Sequence, residues 1–241
     1  MGCILILIVY LSIFKKLEAV VDVIYNPLRT KFIVKAQNRK ISAIGGLYML
    51  VAQAFYASRL FQDKNLNEEQ IDCIYHHLVL EKENIVLIGM PSSGKTTIGS
   101  MLAKRLHKEF IDTDELIKSR IQMEISEYFS KFGENSFRIV ESQVIEEVSK
   151  RTNLVIATGG GVILKEVNIE NLKENGKIVL LNRSLDNLIA TSDRPLTATK
   201  EKLETCYFER KLLYKKFCDI VIDNNHDLTN AVDEIIERMK I

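Results

Sequence analysis

Ile85-Val86-Leu87-Ile88-Gly89-Met90-Pro91-Ser92-Ser93-Gly94-Lys95-Thr96-Thr97 reads as a strand, a glycine-bounded loop and a helix start. Four successive apolar residues, three of them Ile or Val, predict a buried strand. Ile98, Met101, Leu102 and Leu106 then recur at helical spacing. The loop between them matches G-x-x-x-x-G-K-[ST] in the strand-to-helix setting that the motif requires. Its backbone N–H groups and the helix N-terminus converge on one anion site. Gly94 lets the backbone approach phosphates with no Cβ in the way. Lys95 adds a point charge on the β- and γ-phosphates, and Thr96 offers a hydroxyl to Mg²⁺. Ser92, Ser93 and Thr97 complete the expected nucleotide cradle. The loop therefore predicts nucleotide phosphates and Mg²⁺ as its ligands.

The 241 residues allow one large or two small domains. With 46% hydrophobic and 27% charged residues, the composition is that of a globular chain. A net charge of +1 argues against a nucleic-acid-coating role. Cys3, Cys73, Cys206 and Cys218 show no C-x-x-C spacing, which predicts free thiols in a reducing cytoplasm. His76-His77 has no accompanying ligand set and reads as a surface feature. The apolar run 2–14 is short for a membrane span, and its lysines, Lys15 and Lys16, follow it. A buried strand or a damaged chain start is the favoured reading there, with an interfacial membrane anchor as the alternative.

Further along, 19–25 (AVVDVIY) predicts a strand stopped by Asn26-Pro27. Residues 31–40, 47–61 and 67–80 predict helices, the last with Asn67 as N-cap. Asp22-Val23-Ile24-Tyr25-Asn26-Pro27, Thr30 and Gly46-Leu47-Tyr48-Met49-Leu50-Val51-Ala52-Gln53 resemble the C-terminal end of the shikimate dehydrogenase family over about residues 17–62. That resemblance implies shikimate contacts from Tyr25 and Gln53. The chain carries no G-x-G-x-x-G dinucleotide loop, so no dehydrogenase activity is expected, and Gln53 reads as a polar residue on a helix face. An apolar helix without its partner domain predicts an exposed patch, and with it self-association or contact with a pathway enzyme.

Beyond the loop and its helix, Phe110-Ile111-Asp112-Thr113-Asp114 ends a short strand with two carboxylates at the sheet's carboxyl edge. One carboxylate suits the Mg²⁺ shell and the other a substrate hydroxyl. A helix over 125–148 is interrupted at Gly133-Glu134. Arg138 and Glu141 share one face at i,i+3 spacing. Alone they read as a surface ion pair, with a carboxylate clamp as the functional alternative. A strand at 154–157 runs into Gly159-Gly160-Gly161, predicted as a floor for a small ring. Then come a strand at 178–181, a short helix at 185–190, a lid at 191–200, a helix at 201–217, a strand at 219–223 and a helix at 228–239.

Gly89-x-x-x-x-Gly94-Lys95-Thr96, Asp112-Thr113-Asp114, Gly133-Glu134-x-x-Phe137-Arg138-x-x-Glu141, Gly159-Gly160-Gly161, Arg194-Pro195-Leu196 and Arg210-x-x-x-Tyr214 together resemble the shikimate kinase family over about residues 84–238. The resemblance implies a P-loop α/β domain, a parallel sheet flanked by helices with a mobile lid. A small, mainly helical N-terminal segment precedes it. The expected division is a dehydrogenase-like fragment at 1–80 and a kinase domain at 83–241. It implies that Asp114, Arg138, Gly160 and Arg210 bind shikimate, that Thr96 and Asp112 hold Mg²⁺, and that Lys95 and Arg194 contact ATP. Lys95 and Asp114 are the expected catalytic pair. Ser92 replaces a glycine common in the family, which predicts a tighter loop. Asn187 stands where some members place a second lid arginine, which predicts weaker ATP contacts. Two rivals stay open: a gluconate- or nucleotide-type kinase on the same fold, and a non-catalytic partner of a pathway enzyme.

Overall fold

The computed structural model describes residues 14, 16–63, 67–189 and 199–240. The chain divides into two compact units: 1–83 with 173–175, and 84–172 with 176–241.

In the first unit β1 (Ala19–Val21) pairs in parallel with β2 (Ser42–Ile44), joined through α1 (Lys31–Asn38). Strand β1 is shorter than the sequence predicts. Asp22 folds back instead, its carboxylate accepting from the Ile24 N–H at 3.0 Å and the Thr30 hydroxyl at 2.6 Å. Strand β2, only three residues long, carries no visible alternation and is not foreseen. Helices α2 (Gly46–Gln62) and α3 (Glu69–Lys82) pack through Val51, Phe55 and Ile71. The Asn67 carboxamide accepts from the Glu69 N–H, capping α3 from one residue further out than the assigned N-cap, Glu68. On α2, Leu60 and Phe61 are 82% and 91% exposed, and Gln53 faces solvent. Tyr25 is exposed as well.

The second unit is built on β3 (Asn84–Ile88), buried at every position. The other strands are β4 (Glu109–Asp112), β5 (Leu154–Ala157), β6 (Gly176–Asn182) and β7 (Ile220–Asp223). They pair in the order β4-β5-β3-β6-β7, every neighbouring pair parallel. Strands covered on both faces lose the period-2 alternation and read as continuous apolar runs, as β3 and β5 do. The pleat sends Ile85 and Leu87 to one core and Val86 and Ile88 to the other. The first core packs α4 (Lys95–Leu106) and α9 (Leu228–Met239) through Ile98, Leu102 and Ile235. The opposite core packs α6 (Ile125–Ser149), α7 (Glu166–Asn175) and α8 (Lys200–Phe217) through Val144, Ile145, Leu172 and Phe217. Between β4 and α6 lies α5 (Thr113–Ile121).

Chain order leaves β3 in opposite directions on the two sides, which puts the loop after it at the switch point where open α/β sheets bind ligands. Two local devices shape that edge. Gly94, at φ 88°, starts α4 in a conformation that side chains disfavour. Gly133, at φ 78° and ψ 168°, breaks α6 into two arms, as its interruption in the sequence predicts. The expected helix at 185–190 is instead one 3₁₀ turn, Leu185–Asn187. Helix α7 was not anticipated at all. Among the described residues no helix is long and apolar enough to cross a membrane.

Candidate active site

A cavity of about 700 Å³ opens at the carboxyl edge of the sheet, lined by the phosphate loop at one end and by Phe129, Arg138 and Arg210 at the other. The loop is held closed by its own lysine. Lys95 Nζ donates to the Gly89 and Met90 carbonyls at 3.0 and 2.8 Å and to Ser93 Oγ at 3.4 Å. The ammonium is thus buried and pre-placed where phosphate oxygens would compete for it. The Ser93 carbonyl is fixed from outside by the Asn224 amide at 2.7 Å. Ser92 sits at φ 62°, a backbone region that costs a side-chain-bearing residue on the order of 1–2 kcal/mol. Its hydroxyl donates to the Ile189 carbonyl at 2.9 Å. Serine here therefore tethers the loop to the segment after β6.

The two carboxylates at the junction of β4 and α5 separate by role. Asp112 Oδ1 caps α5 by accepting from the Asp114 N–H at 3.0 Å, while Oδ2 accepts from the Thr96 hydroxyl at 2.7 Å. A hydroxyl and a carboxylate held together are hard oxygen donors of the kind Mg²⁺ takes when phosphates and water supply the rest. Asp114 instead lines the cavity and turns toward Gly159. A methyl at Gly159 would come within 2.6 Å of Asp114 Oδ1 and 3.2 Å of Glu141 Oε1.

Arg138 and Glu141 are not the surface pair that their spacing alone suggests. Their residues are 7% and 1% exposed, and they bond at 2.8 Å. The Gly133 break aims this arm of α6 into the cavity. Glu134 takes Nε and Nη2 of Arg138 at 3.2 and 2.9 Å, and Glu141 takes Nη1. A guanidinium has five N–H donors. Three are used among the described residues, leaving one on each Nη, the pair a carboxylate engages bidentately. Burial opposes the Arg138 charge, but Glu141 and Glu134 more than offset it and hold its pKa above the usual value. Burial pushes the Glu141 carboxyl up against the pull of Arg138, and the nearby Asp114 charge adds to the rise. Phe129 and Phe137 stack at 4.6 Å between centroids, with the Arg138 guanidinium 5.3 Å from the Phe137 ring. Phe129 bears no motif; only its position opposite Phe137 across the break gives it a role.

Beyond the floor predicted for a small ring, the three glycines leave space for neighbouring side chains. A side chain at Gly161 would overlap the Arg138 guanidinium, and one at Gly160 would meet the Pro91 ring at 2.9 Å. Their absent side chains make room for the working groups. The Gly160 carbonyl accepts from Arg210 Nη1 at 3.2 Å and from the Tyr214 hydroxyl at 2.5 Å. Burial raises the Tyr214 pKa, so it stays a donor. This network leads to the prediction that Gly161→Ala, by displacing Arg138, costs about tenfold or more in kcat/KM. Steady-state kinetics on a variant that unfolds cooperatively would check it.

Thr97 lines the cavity, and so does Arg183, which no sequence motif marks. Of the expected lid at 191–200, Arg194 and the other positions 191–198 lie outside the described residues, whereas Thr199 caps α8 and Lys200 opens it. Asn187 is not among the cavity-lining residues; its amide donates to Asn225 Oδ1 at 3.1 Å. Cys73, Cys206 and Cys218 are free thiols.

Comparison with known proteins bears on the same stretch of chain. The family model for shikimate kinase matches residues 91–240. A shikimate kinase of Clostridium botulinum (strain Eklund 17B / Type B) is 43% identical over 158 residues, covering 64% of this chain and 95% of its own. One from Thermodesulfovibrio yellowstonii is 42% identical over 148 residues, covering 58% and 85%. The solved shikimate kinase of Acinetobacter baumannii, in complex with shikimate, superposes with a TM-score of 0.64 at 31% identity, over 68% of this chain and 97% of that one. With a family model spanning more than half its length and relatives matched almost end to end, the chain belongs to the shikimate kinase family.

Proposed function

We propose that the protein transfers the γ-phosphoryl group of ATP to the 3-hydroxyl of shikimate, giving shikimate 3-phosphate and ADP. The observation that carries this reading is one cavity lined by both the Lys95 loop and two buried arginines, with Asp114 beside them. A phosphate cradle alone would suit any kinase of this fold. Two desolvated guanidinium groups at the far end call for a small anionic acceptor.

In this reading Arg138 and Arg210 hold the substrate carboxylate, Arg138 through the two N–H groups left by its glutamates. The Gly160 backbone, ordered by Tyr214 and Arg210, forms part of the same wall. Asp114 orients the attacking hydroxyl and takes its proton as the bond to phosphorus forms. Lys95 leaves its loop carbonyls for the transferring phosphoryl oxygens. Ser92, Ser93, Gly94 and Thr97 frame the phosphates, with Arg194 as the lid contribution. Thr96 and Asp112 would hold Mg²⁺, which when bound neutralises charge on the β- and γ-phosphates. Most of the catalysis is positioning and charge stabilisation. The chemistry is assigned to residues 83–241, with 1–80 as a separate dehydrogenase-like fragment.

Coupled ADP release by the full chain tests the proposal. Release should depend on shikimate and be absent with gluconate or nucleosides. Equal rates with and without shikimate would refute it. Arg138→Lys should raise the KM for shikimate by about tenfold or more and change kcat less, because a point charge replaces a planar fork.

A further inference from the structure

We propose that Arg183 is a phosphate-binding residue of this site, engaging phosphoryl oxygens of the nucleotide or of the phosphorylated product. Arg183 follows β6 directly, at the carboxyl edge of the strand that pairs with β3. It lines the main cavity with Pro91, Lys95 and Arg210. It also lines a small recess against Met90, Tyr207 and Tyr214. The residue is half-buried, and its Nε is shut off from solvent with no hydrogen-bond acceptor among the described residues.

Three other cations that line the main cavity are engaged. Lys95 is held by loop carbonyls, Arg138 by two glutamates and Arg210 by the Gly160 carbonyl. Arg183 has no ion pair among the described residues. A guanidinium stays charged at any physiological pH, and a buried N–H without an acceptor is costly enough that native structures rarely keep one. The cost makes sense if the acceptor arrives with a ligand, and the ligand expected beside the phosphate loop carries phosphoryl oxygens. A planar fork of donors suits them geometrically. Arg183 would then supply the charge that Asn187, turned to Asn225 outside the cavity lining, does not.

The product arm of this inference rests on the proposed shikimate phosphorylation; the nucleotide arm does not. Calorimetric titration of the full chain, wild type against Arg183→Gln and Arg183→Lys, would use ADP, a β,γ-imido ATP analogue, shikimate and shikimate 3-phosphate. Arg183→Gln should weaken at least one phosphorylated ligand by about tenfold, Arg183→Lys less, with shikimate alone unchanged within about twofold. A loss confined to the ATP analogue points to the γ-phosphate, one shared with ADP to the β-phosphate, and one confined to shikimate 3-phosphate to the product ester. Unchanged affinity for all three phosphorylated ligands, or an equal loss for shikimate, would overturn the proposal. So would the failure of both variants to unfold cooperatively, which would make Arg183 a packing residue. A wild type that ignores shikimate would remove the shikimate-phosphorylating reading while leaving the ADP and analogue arms to decide Arg183.

Discussion

Asp114→Asn lowers kcat by about a thousandfold, within the range attributed to a positioned general base, with little change in thermal stability. The substitution is isosteric, so the space left by Gly159 still fits the side chain. The Asp112 cap on α5 uses the backbone N–H of residue 114 and survives. What disappears is the acceptor for the hydroxyl proton. The removal also relieves Glu141 of a neighbouring like charge. Substrate affinity should fall far less than turnover, since Arg138 and Arg210 are untouched. Steady-state kinetics with calorimetric shikimate binding separates the two effects. Full turnover by the variant would remove Asp114 from the mechanism.

Lys95→Ala has a comparably large effect through a different route. Loss of one preorganised charge at the transferring group costs about 10²–10³ in rate, roughly 3–4 kcal/mol of transition-state stabilisation. Here a stability loss is also expected. The Gly89 and Met90 carbonyls each give up a buried donor, at about 1 kcal/mol per lost hydrogen bond. Nucleotide affinity falls with kcat, whereas shikimate binding in the absence of nucleotide does not. Retained activity above about a tenth of wild type would show that the loop amides alone carry the phosphoryl group.

The elements that were legible in the sequence are those whose burial is extreme. Strands β3 and β5, enclosed on both faces, read as unbroken apolar runs, and the loop between β3 and α4 declares itself through two glycines and a lysine. Helix α7 escaped because asparagines sit at buried positions in it. Asn168 and Asn175 are 0% and 2% exposed, and their amides bond to neighbouring backbone, where periodicity alone would ask for apolar residues. Strand β2 is three residues long and exposed at both ends.

The site itself was half legible. The identities of Asp112, Asp114, Arg138, Gly160 and Arg210 stand out through their motifs, but their mutual arrangement does not. Spacing places Arg138 and Glu141 on one helix face without saying which way that face points; the Gly133 break decides it. Three glycines in a row predict a floor for a small ring, and only side-chain positions show that they also clear space for Asp114 and Arg138. Arg183 has no motif, and only its unsatisfied buried Nε marks it.

A crystal of the full chain soaked with shikimate is the most direct test of the central claim. The carboxylate should lie within about 2.7–3.2 Å of guanidinium nitrogens of both Arg138 and Arg210, with the ring hydroxyls toward Asp114. Shikimate bound with its carboxylate away from both arginines, or outside this cavity, would contradict the account.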